Sequence, residues 1–422
     1  MKRRQFLHAA SASALLAGCA SINGQARPQV IVIGGGYGGA TAARYIRLWS
    51  DNSIDVTLIE SNPQFISCPL SNLVLGGSRQ IGDLTMSIDA LASKHGVRIV
   101  RALVTSIDAS QRSVTLATGQ TLNYDRLIVS PGVGFLWEQL PGMRKPGAQD
   151  AILHAWKAGP QTTALRAQLE AMPDGGVYAM TIPPAPYRCP PGPYERASQV
   201  AFYFSRHKPK SKVLILDAND DVVSKGPLFK KVWKERYNGI IDYRPSFRTA
   251  DVDATTRTAI SELGDKVQAD VLNVIPPQRA SSIAVQSGLA NVNARWCGVD
   301  FLTFESTQVK NIHVLGDAIA VAPLMPKSAH MANQHAKVCA AAVVDLLSER
   351  APNANPMLTN TCYSFVSDQD VIHVASVHAY NAEKKTLLVV PGSGGVSSGP
   401  SALEGEYAMN WARNIWADML GT

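Results

Sequence analysis

Short apolar runs alternate with helical patterns along this chain. Gln29–Ile33 is apolar and rich in β-branched residues, and Ala40–Leu48 follows it with a helical pattern that starts on small residues. A second apolar run, Asp55–Ile59, comes next. Strand, helix and strand in this order predict a parallel sheet of the α/β class.

The alternation recurs further along the chain. We predict a helix over His154–Met172, strands over Gly175–Ile182 and Ser211–Asp217, and a long helix over about 328–347. With 422 residues and 46% hydrophobic content, the chain is too long for one ordinary domain. The predicted fold is α/β, with two Rossmann-like dinucleotide-binding domains and a small α+β domain.

The predicted domain boundaries follow these patterns. Residues 27–139 and 289–350 form a discontinuous dinucleotide-binding domain, residues 140–288 form the second Rossmann-like domain, and residues 351–422 form a C-terminal interface domain. Residues 1–26 are set apart as an export signal.

That N-terminal segment has the pattern of a twin-arginine signal. Arg3 and Arg4 precede an apolar run, Ala9–Ala17, which is too short to span a bilayer. Cleavage after Ala26 and lipoprotein processing at Cys19 both fit, and the second would give a lipid anchor. We therefore expect a periplasmic protein, in a compartment where disulfides persist.

The charge balance excludes one class of partner. The formal net charge is +7, and removing residues 1–26 with their three basic residues leaves 7 − 3 = +4. The remaining lysines and arginines are scattered rather than clustered, so no nucleic-acid-binding surface is expected.

A glycine-rich turn joins the first strand to the first helix. Gly34, Gly36 and Gly39 occupy the three glycine positions of GxGxxG. Glu60 ends the next strand, about 20 residues further on, where a carboxylate binds a ribose hydroxyl. Together these residues predict a bound dinucleotide.

Two later segments favour FAD over NAD. Tyr124–Gly132 and Asn311–Ala318 each read as a strand that runs into a tight turn, and they resemble the further fingerprints of two-dinucleotide-domain flavoproteins. In that group the aspartate of the Gly-Asp pair binds the flavin's ribityl or pyrophosphate region, which makes Asp317 the candidate. The helix near residue 328 would point its positive end at the flavin ring.

The second domain lacks a nucleotide fingerprint. In relatives that use NAD(P)H, the turn after its first strand carries a second GxGxxG, whereas here that turn is Pro183–Pro193, with six prolines in eleven residues. Proline has no N–H to offer a pyrophosphate. NAD(P)H is therefore not expected as the electron partner.

The six cysteines form no Cys-x-x-Cys motif. Cys297 and Cys339 lie in apolar settings, which favours small buried hydrophobes. Cys189 lies in the proline-rich turn at the carboxyl end of a strand, where α/β folds bind ligands. Cys362 is its natural partner in an oxidising compartment, either in a redox pair or in a purely structural disulfide. Cys68, taken by itself, could be a free packed thiol.

Several stretches resemble the flavoprotein subunit of flavocytochrome c sulfide dehydrogenase, over nearly the whole chain from about Val30. The most specific are Cys189–Gln199 and Pro326–Ser328. Three further stretches add to the likeness, namely His154–Gly159, Ile275–Ala280 and Asn360–Ser364.

The resemblance implies roles for individual residues. FAD would be attached covalently through a thioether to Cys68, in a Cys-x-Leu-Ser-Asn motif. A redox disulfide, Cys189–Cys362, would lie over the flavin ring with Glu195 near it, and Lys327 would stabilise the anionic reduced flavin. Without the resemblance, Glu195 could be a first-turn helix carboxylate and Lys327 a solvated loop charge.

The implied reaction is sulfide oxidation. Hydrosulfide would attack the disulfide, since thiolate-type anions are the effective nucleophiles, and two electrons would pass to FAD while Glu195 moves a proton. The chain has no Cys-x-x-Cys-His, so we expect no haem in it, and no metal site is predicted. The resemblance implies a separate c-type cytochrome subunit in a heterodimer.

The C-terminal segment could contribute to that interface. It carries Tyr407, Trp411 and Trp416, and aromatic residues suit interfaces, although a buried core role fits them as well. Two alternatives stay open: a sulfide:quinone oxidoreductase, for which residues 404–422 give only a weak membrane signature, and a non-catalytic flavin-bearing partner of a cytochrome.

Overall fold

The computed structural model describes residues 26–422. The predicted twin-arginine signal and Cys19 therefore lie outside the described residues. No helix within 26–422 is long and apolar enough to cross a membrane.

Strands and helices are numbered here in chain order. The strands are β1 (Gln29–Ile33), β2 (Asp55–Ile59), β3 (Phe65–Ile66), β4 (Thr85–Met86), β5 (Arg98–Val100), β6 (Val104–Asp108), β7 (Ser113–Leu116), β8 (Thr121–Asn123), β9 (Arg126–Val129), β10 (Val133–Phe135), β11 (Val177–Ile182), β12 (Lys212–Asp217), β13 (Ile241–Arg244), β14 (Thr249–Asp253), β15 (Thr258–Ser261), β16 (Lys266–Gln268), β17 (Val271–Val274), β18 (Gln278–Ala280), β19 (Ile312–Val314), β20 (Met357–Phe365), β21 (Val371–Asn381), β22 (Thr386–Val389) and β23 (Gly395–Val396). The helices are α1 (Tyr37–Trp49), α2 (Asn72–Gly76), α3 (Asp89–Ser93), α4 (Ala148–Ala151), α5 (Pro160–Ala171), α6 (Gly192–His207), α7 (Gly226–Arg236), α8 (Ser282–Gln286), α9 (Ala329–Leu347) and α10 (Ala402–Leu420).

The first sheet is parallel and has the strand order β19-β9-β1-β2-β5. Its strands are apolar on both faces because helices cover them, and Val32, Leu58 and Ile128 are fully buried. Helices α1 and α9 pack against each other beside this sheet. Strand β19 lies far beyond the other four strands in sequence, so this unit is discontinuous.

The second sheet is also parallel, with the order β13-β12-β11-β17. Its core includes the buried residues Tyr178, Met180 and Ile215. Helix α6 follows β11 and packs against β12, as a right-handed parallel crossover requires. Small antiparallel sheets, β6-β7-β8 and β14-β15-β16, and the pairs β3-β4 and β10-β18 complete the two units.

The C-terminal unit is an antiparallel sheet, β20-β21-β22 with β23 on β21, and one long helix. Helix α10 packs against α1 and β21, so it joins this unit to the first sheet's helix layer. The predicted fold, with two Rossmann-like units and a C-terminal α+β unit, is confirmed.

One predicted helix, His154–Met172, is wrong over its first third. The helix begins only at Pro160, because Gly159 has a φ of 145°, which is incompatible with helix. Residues 152–159 are irregular, and the ring Nδ1 of His154 accepts a hydrogen bond from the Trp156 N–H at 2.8 Å. A side chain that bonds the local backbone competes with helix formation in this way.

Candidate active site

A cavity of about 1200 Å³ opens at the carboxyl ends of the first sheet's strands and reaches the C-terminal unit. This is where α/β sheets bind ligands. Most of the predicted site residues line it, namely Gly34, Gly36, Glu60, Cys68, Cys189, Glu195, Asp317 and Cys362. Chain segments separated by up to about 300 residues of sequence therefore meet in one place.

The glycine turn leaves room for a phosphate group. Gly34 has a φ of +96°, and a Cβ there would overlap the Ser130 carbonyl oxygen. Gly39 does not line the cavity. It allows α1 to pack closely on the glycine turn, because a Cβ there would overlap the carbonyl oxygen of Gly34. A Cβ at Gly36 would meet no atom within 4 Å. The open position at Gly36, at the start of α1, fits a pyrophosphate on the positive end of a helix.

Glu60 fixes the shape of this turn. Its Oε2 accepts the Gly35 N–H at 2.6 Å, and its Oε1 accepts from the backbone and side chain of Asn62, both at 2.7 Å. The carboxylate still faces the cavity, where a ribose hydroxyl could donate to it.

Asp317 presents a buried oxygen that is suited to a polar ligand. Its Oδ1 is buried and has no hydrogen-bond partner among the described residues. Burial raises the pKa of this carboxyl, while the charges of Arg188 and Lys327 oppose the increase. Buried acceptors are almost always satisfied, so the hydroxyl groups of a ribityl chain fit this position. The turn at Gly36 and this orphaned oxygen together fit FAD.

Helix α9 presents its N-terminus to the cavity, as predicted. Ser328 caps it, with Oγ accepting the Met331 N–H at 3.0 Å and donating to Asn360 Oδ1 at 2.7 Å. The first-turn residues Ala329, His330 and Ala332 line the cavity. The positive end of the helix dipole thus favours negative charge there.

Cys68 lies just before helix α2 and lines the same cavity. Its sulfur accepts the Ala158 N–H at 3.5 Å. Arg188 and Lys157 are close enough for the Cys68 charge to raise the pKa of each, although burial lowers that of Lys157 overall. Two basic side chains therefore lie beside this half-buried cysteine.

Cys189 and Cys362 both line the cavity and are both free thiols, so the disulfide expected between them is not formed in this structure. Burial raises the pKa of both thiols, and the charge of Cys362 is the second cause at Cys189. Cys189 has a left-handed φ of 59°. Its N–H donates to the Lys327 carbonyl at 2.8 Å. A strained backbone held by its neighbours is common where chemistry occurs.

Glu195 lies in the first turn of α6 and is only 7% exposed. Its Oε1 accepts the Phe365 N–H and its Oε2 accepts from Asn72 Nδ2, both at 2.9 Å. Burial raises the pKa of this carboxyl, while the hydrogen bonds from Phe365 and Asn72 oppose the increase.

Lys327, predicted to stabilise the anionic reduced flavin, is a buried residue. Its Nζ donates to the carbonyl oxygens of Asp317 and Ile319, at 2.9 and 2.5 Å, and lies 3.5 Å from the centroid of the Trp296 ring. The ammonium is therefore behind the Gly316–Ala318 turn and not among the groups that line the cavity. Burial lowers its pKa to about 7. Lys327 acts on the site in two ways, because its backbone oxygen holds Cys189 and its charge opposes the rise in the pKa of Asp317.

Sequence reasoning missed two cations near the cysteines, the half-buried Arg188 and the buried Lys225. Arg188 lies between Cys68, Cys189 and Asp317, whose charges raise its pKa against the effect of burial. Lys225 is 7% exposed and donates to the Cys362 carbonyl oxygen at 3.0 Å. Arg188 adjoins Cys189 in the proline-rich turn, which was a usable signal. Lys225 has no motif around it and is brought in only by the fold.

Comparison with known proteins gives the family. The model described as "Sulfide dehydrogenase [flavocytochrome c] flavoprotein chain, central" matches residues 162–276, and "Flavocytochrome c sulphide dehydrogenase, flavin-binding" matches residues 354–420. The sulfide dehydrogenase flavoprotein chain of Chlorobaculum thiosulfatiphilum is 52% identical over 46 residues, which are 11% of this chain and 94% of that sequence. This chain belongs to the flavocytochrome c sulfide dehydrogenase flavoprotein family.

The chain is also similar to proteins outside this family. The pyridine nucleotide-disulphide oxidoreductase model matches residues 28–170. A mitochondrial sulfide:quinone oxidoreductase of Dictyostelium discoideum is 24% identical over 300 residues, which are 68% of this chain and 65% of that protein. The match thus spans slightly less than two thirds of that relative, and the match to a sulfide-quinone reductase of Aquifex aeolicus spans only 24% of it. The solved sulfide:quinone oxidoreductase of A. aeolicus superposes with a TM-score of 0.75 at 18% identity, covering 94% of this chain and 92% of the other.

Proposed function

We propose that this flavoprotein oxidises sulfide at Cys189 and Cys362 and passes the electrons through FAD to a c-type cytochrome subunit. The observation that carries the proposal is that both cysteines line the cavity that also contains the open Gly36 turn and the orphaned Asp317 oxygen. A thiol pair beside a dinucleotide site has the parts for exchange between sulfur and a flavin.

The sulfur step begins from the oxidised pair. Hydrosulfide attacks one sulfur of the Cys189–Cys362 bond, so that a new sulfur–sulfur bond forms and the intercysteine bond breaks. One cysteine becomes a persulfide and the other leaves as a thiolate with the electron pair of the broken bond. FAD, when bound, supplies the two-electron acceptor for these reduced sulfur atoms.

Glu195 is placed to manage the proton of hydrosulfide. It lines the cavity with both cysteines, and its raised pKa favours the protonated form of the carboxyl. Asn72 and the Phe365 N–H hold both of its oxygens. Its orientation is therefore set before substrate arrives.

We propose that FAD is attached covalently through Cys68. The Cys68 thiol lines the cavity, where Arg188 and Lys157 lie near it and where the glycine turn and Asp317 fit the rest of the cofactor. Gly34, Gly36 and Asp317 would hold the rest of the cofactor. No group of His, Cys, Asp and Glu side chains in the described residues could hold a metal ion.

Two observations favour a cytochrome as the electron acceptor, one against a nicotinamide dinucleotide and one against a membrane quinone. The turn after β11 is proline-rich, and Asp217 at the end of β12 accepts from Tyr194 and Tyr243 at 2.7 and 3.1 Å, so it is not free for a nicotinamide dinucleotide's ribose. The solvent side of α10 carries Leu403 and Tyr407 among polar residues such as Glu406 and Arg413. That face is a poor match for a membrane surface that a quinone enzyme would enter.

We further propose that the protein works in the periplasm, with Cys19 as the site of a lipid anchor. The support is the pattern of residues 1–26 in the sequence. A globomycin-sensitive shift in the size of the expressed full chain, lost in Cys19→Ala, would support the anchor; cleavage after Ala26 in both would contradict it.

The acceptor is tested with flavin-loaded protein reduced by sulfide under anaerobic conditions. Oxidised c-type cytochrome and a short-chain quinone are then added separately, and flavin reoxidation is followed. Fast reoxidation by the cytochrome alone supports the proposal. Reoxidation by the quinone alone would favour the sulfide:quinone alternative, which the fold similarity keeps as the second candidate.

A further inference from the structure

Lys225 is a buried cation behind the strand that carries Cys362. It directly precedes helix α7, has a left-handed φ of 57°, and is 7% exposed. Its ammonium donates to Ser364 Oγ at 2.7 Å, to the Cys362 carbonyl at 3.0 Å and to the Ile372 carbonyl at 3.3 Å. These contacts use all three N–H donors of a lysine, so the charge is fixed in place against β20 and β21.

None of these three partners is an anion. Within the part of the chain that the structure describes, the hydrogen bonds of Lys225 go only to neutral oxygens. A buried ammonium without a bonded counter-ion is costly. Burial lowers the pKa of Lys225 to about 8, and the groups that oppose this decrease when they are ionised are, in order of effect, Cys362, Glu195, Cys189 and Glu404. The first and third are the proposed redox cysteines.

The charge of Lys225 affects the two cysteines unequally. The Lys225 charge is the leading influence that lowers the pKa of the Cys362 thiol against burial, ahead of hydrogen bonds from Asn360 and Ser328, while Glu195 acts in the opposite direction. At Cys189 the influence of Lys225 is the smallest of the named causes, behind Arg188. The lysine therefore favours negative charge on Cys362 more than on Cys189.

We propose that Lys225 is a positioning residue that stabilises a thiolate at Cys362 and thereby directs hydrosulfide to the sulfur of Cys189. The inference rests on the proposed role of the two cysteines as a redox pair. A new bond forms between the hydrosulfide sulfur and Cys189, the Cys189–Cys362 bond breaks, and its electron pair goes to Cys362. A thiol with a lower pKa is the better leaving group in this exchange.

The direct test is the reactivity of the reduced thiols, measured without sulfide. Flavin-loaded protein is reduced with a phosphine, and the alkylation of the Cys362 peptide by iodoacetamide is followed by mass spectrometry across pH. In Lys225→Met we expect alkylation of Cys362 to slow at least tenfold at a fixed pH below the thiol pKa, with the profile displaced to higher pH. Alkylation of Cys189 should change much less.

Matched variants separate charge from packing. Lys230→Met removes a lysine from the same helix, where it is exposed and paired with Asp221, and should leave the Cys362 profile unchanged. Lys225→Arg should restore the wild-type profile if it folds. If Lys225→Met does not fold, Lys225→Gln, which retains a donor for Ser364, takes its place. An unchanged Cys362 profile in a folded, uncharged Lys225 variant would overturn the proposal.

A second readout fixes where the substrate sulfur goes. After one equivalent of sulfide reacts with the oxidised wild-type protein, rapid alkylation should capture the persulfide on Cys189. A persulfide found on Cys362 would contradict the directing role. If no persulfide forms on either cysteine, the proposed function fails, whereas the iodoacetamide comparison still decides the effect of Lys225.

Discussion

At the scale of single residues, the glycines of the first turn divide into two kinds. Gly36 faces open space and Gly39 faces the carbonyl oxygen of Gly34. The first arrangement serves a ligand and the second serves helix–strand packing. A substitution at Gly36 should therefore affect ligand binding and one at Gly39 should affect stability, although both glycines belong to the same motif.

We expect Gly36→Ala to fold normally and to bind FAD much more weakly, because its Cβ projects into the space left for the pyrophosphate. Gly39→Ala should lower the free energy of unfolding by about 1–3 kcal/mol or more, because backbone must move to admit the methyl group. Flavin titration and thermal unfolding of both apoproteins check this. Equal loss of stability in both would contradict the division of roles.

Cys68 carries a separate prediction. Acid precipitation of the wild-type protein should leave yellow flavin on the polypeptide, because a thioether survives unfolding. Cys68→Ser should release the flavin into the supernatant, and Cys339→Ala, at a buried cysteine in α9, should not. Free flavin from the wild type would refute covalent attachment while leaving the FAD site itself in place.

At the scale of elements, the strands were the most predictable part of the fold. β1 and β2 match their predicted bounds, since short β-branched runs bounded by turns have few alternatives. The helix expected from His154 failed because one residue, Gly159, adopts a φ that no periodicity reveals. Helix α10 shows a further limit, since its aromatic residues gave no sign of which side they occupy.

That helix is fastened to the first sheet's helix layer by one carboxylate. Asp418 accepts from Tyr45 at 2.5 Å, Asn333 at 2.8 Å and Lys337 at 3.0 Å. The Trp416 indole also donates to the Tyr37 hydroxyl at 2.9 Å. Trp416 is thus tied inward, and Trp411 lines the cavity. Of the three aromatic residues predicted for an interface, Tyr407 is the exposed one, at 51%.

Asp418→Ala should loosen α10 locally, because it leaves three buried or half-buried donors without their acceptor. We expect the opening free energy of the α10 amides, measured by hydrogen exchange, to fall by about 1–3 kcal/mol. Asp89→Ala, at an exposed pair with Arg101, is the control. Unchanged exchange in α10 would show that apolar packing alone holds the helix.

At the scale of the whole molecule, the site is formed by segments that are distant in sequence and that the fold brings together. Its lining comes from the first glycine turn, the proline-rich turn, the start of α9, strand β20 and helix α10. Motifs identify the residues whose function requires a local pattern, such as Gly36 and Cys189. They cannot identify Lys225, because its relation to Cys362 exists only after β20 and β21 pack against the second domain.

The whole molecule should also lose stability in mild acid. Burial lowers the pKa of His335 to about 3, from an ordinary value of 6.5, with similar effects at His154, His313 and His330. The unfolded chain therefore binds more protons below pH 6.5, and each such histidine makes the free energy of unfolding fall by about 1.4 kcal/mol per pH unit as the pH drops.

A single substitution tests that assignment. His335 packs on Phe304 with ring centroids 4.7 Å apart. We expect the slope of the unfolding free energy against pH to be smaller in His335→Leu by about 1.4 kcal/mol per pH unit. The difference should lie between the pKa values of His335 in the folded and unfolded chains, and urea titrations at several pH values measure it. His207→Leu, at an exposed histidine, should keep the wild-type slope. Identical slopes in all three proteins would rule out the acid sensitivity of His335.

We propose that Cys189 and Cys362 together deliver electrons from sulfide to the flavin. Anaerobic bleaching of the visible flavin absorbance, followed after sulfide is mixed with the flavin-loaded protein, tests this role. We expect rapid bleaching in the wild type and in Cys339→Ala, and a loss of at least a hundredfold in rate in Cys189→Ser and in Cys362→Ser, about 2.7 kcal/mol or more in barrier height. Bleaching at the wild-type rate in either serine variant would contradict the account.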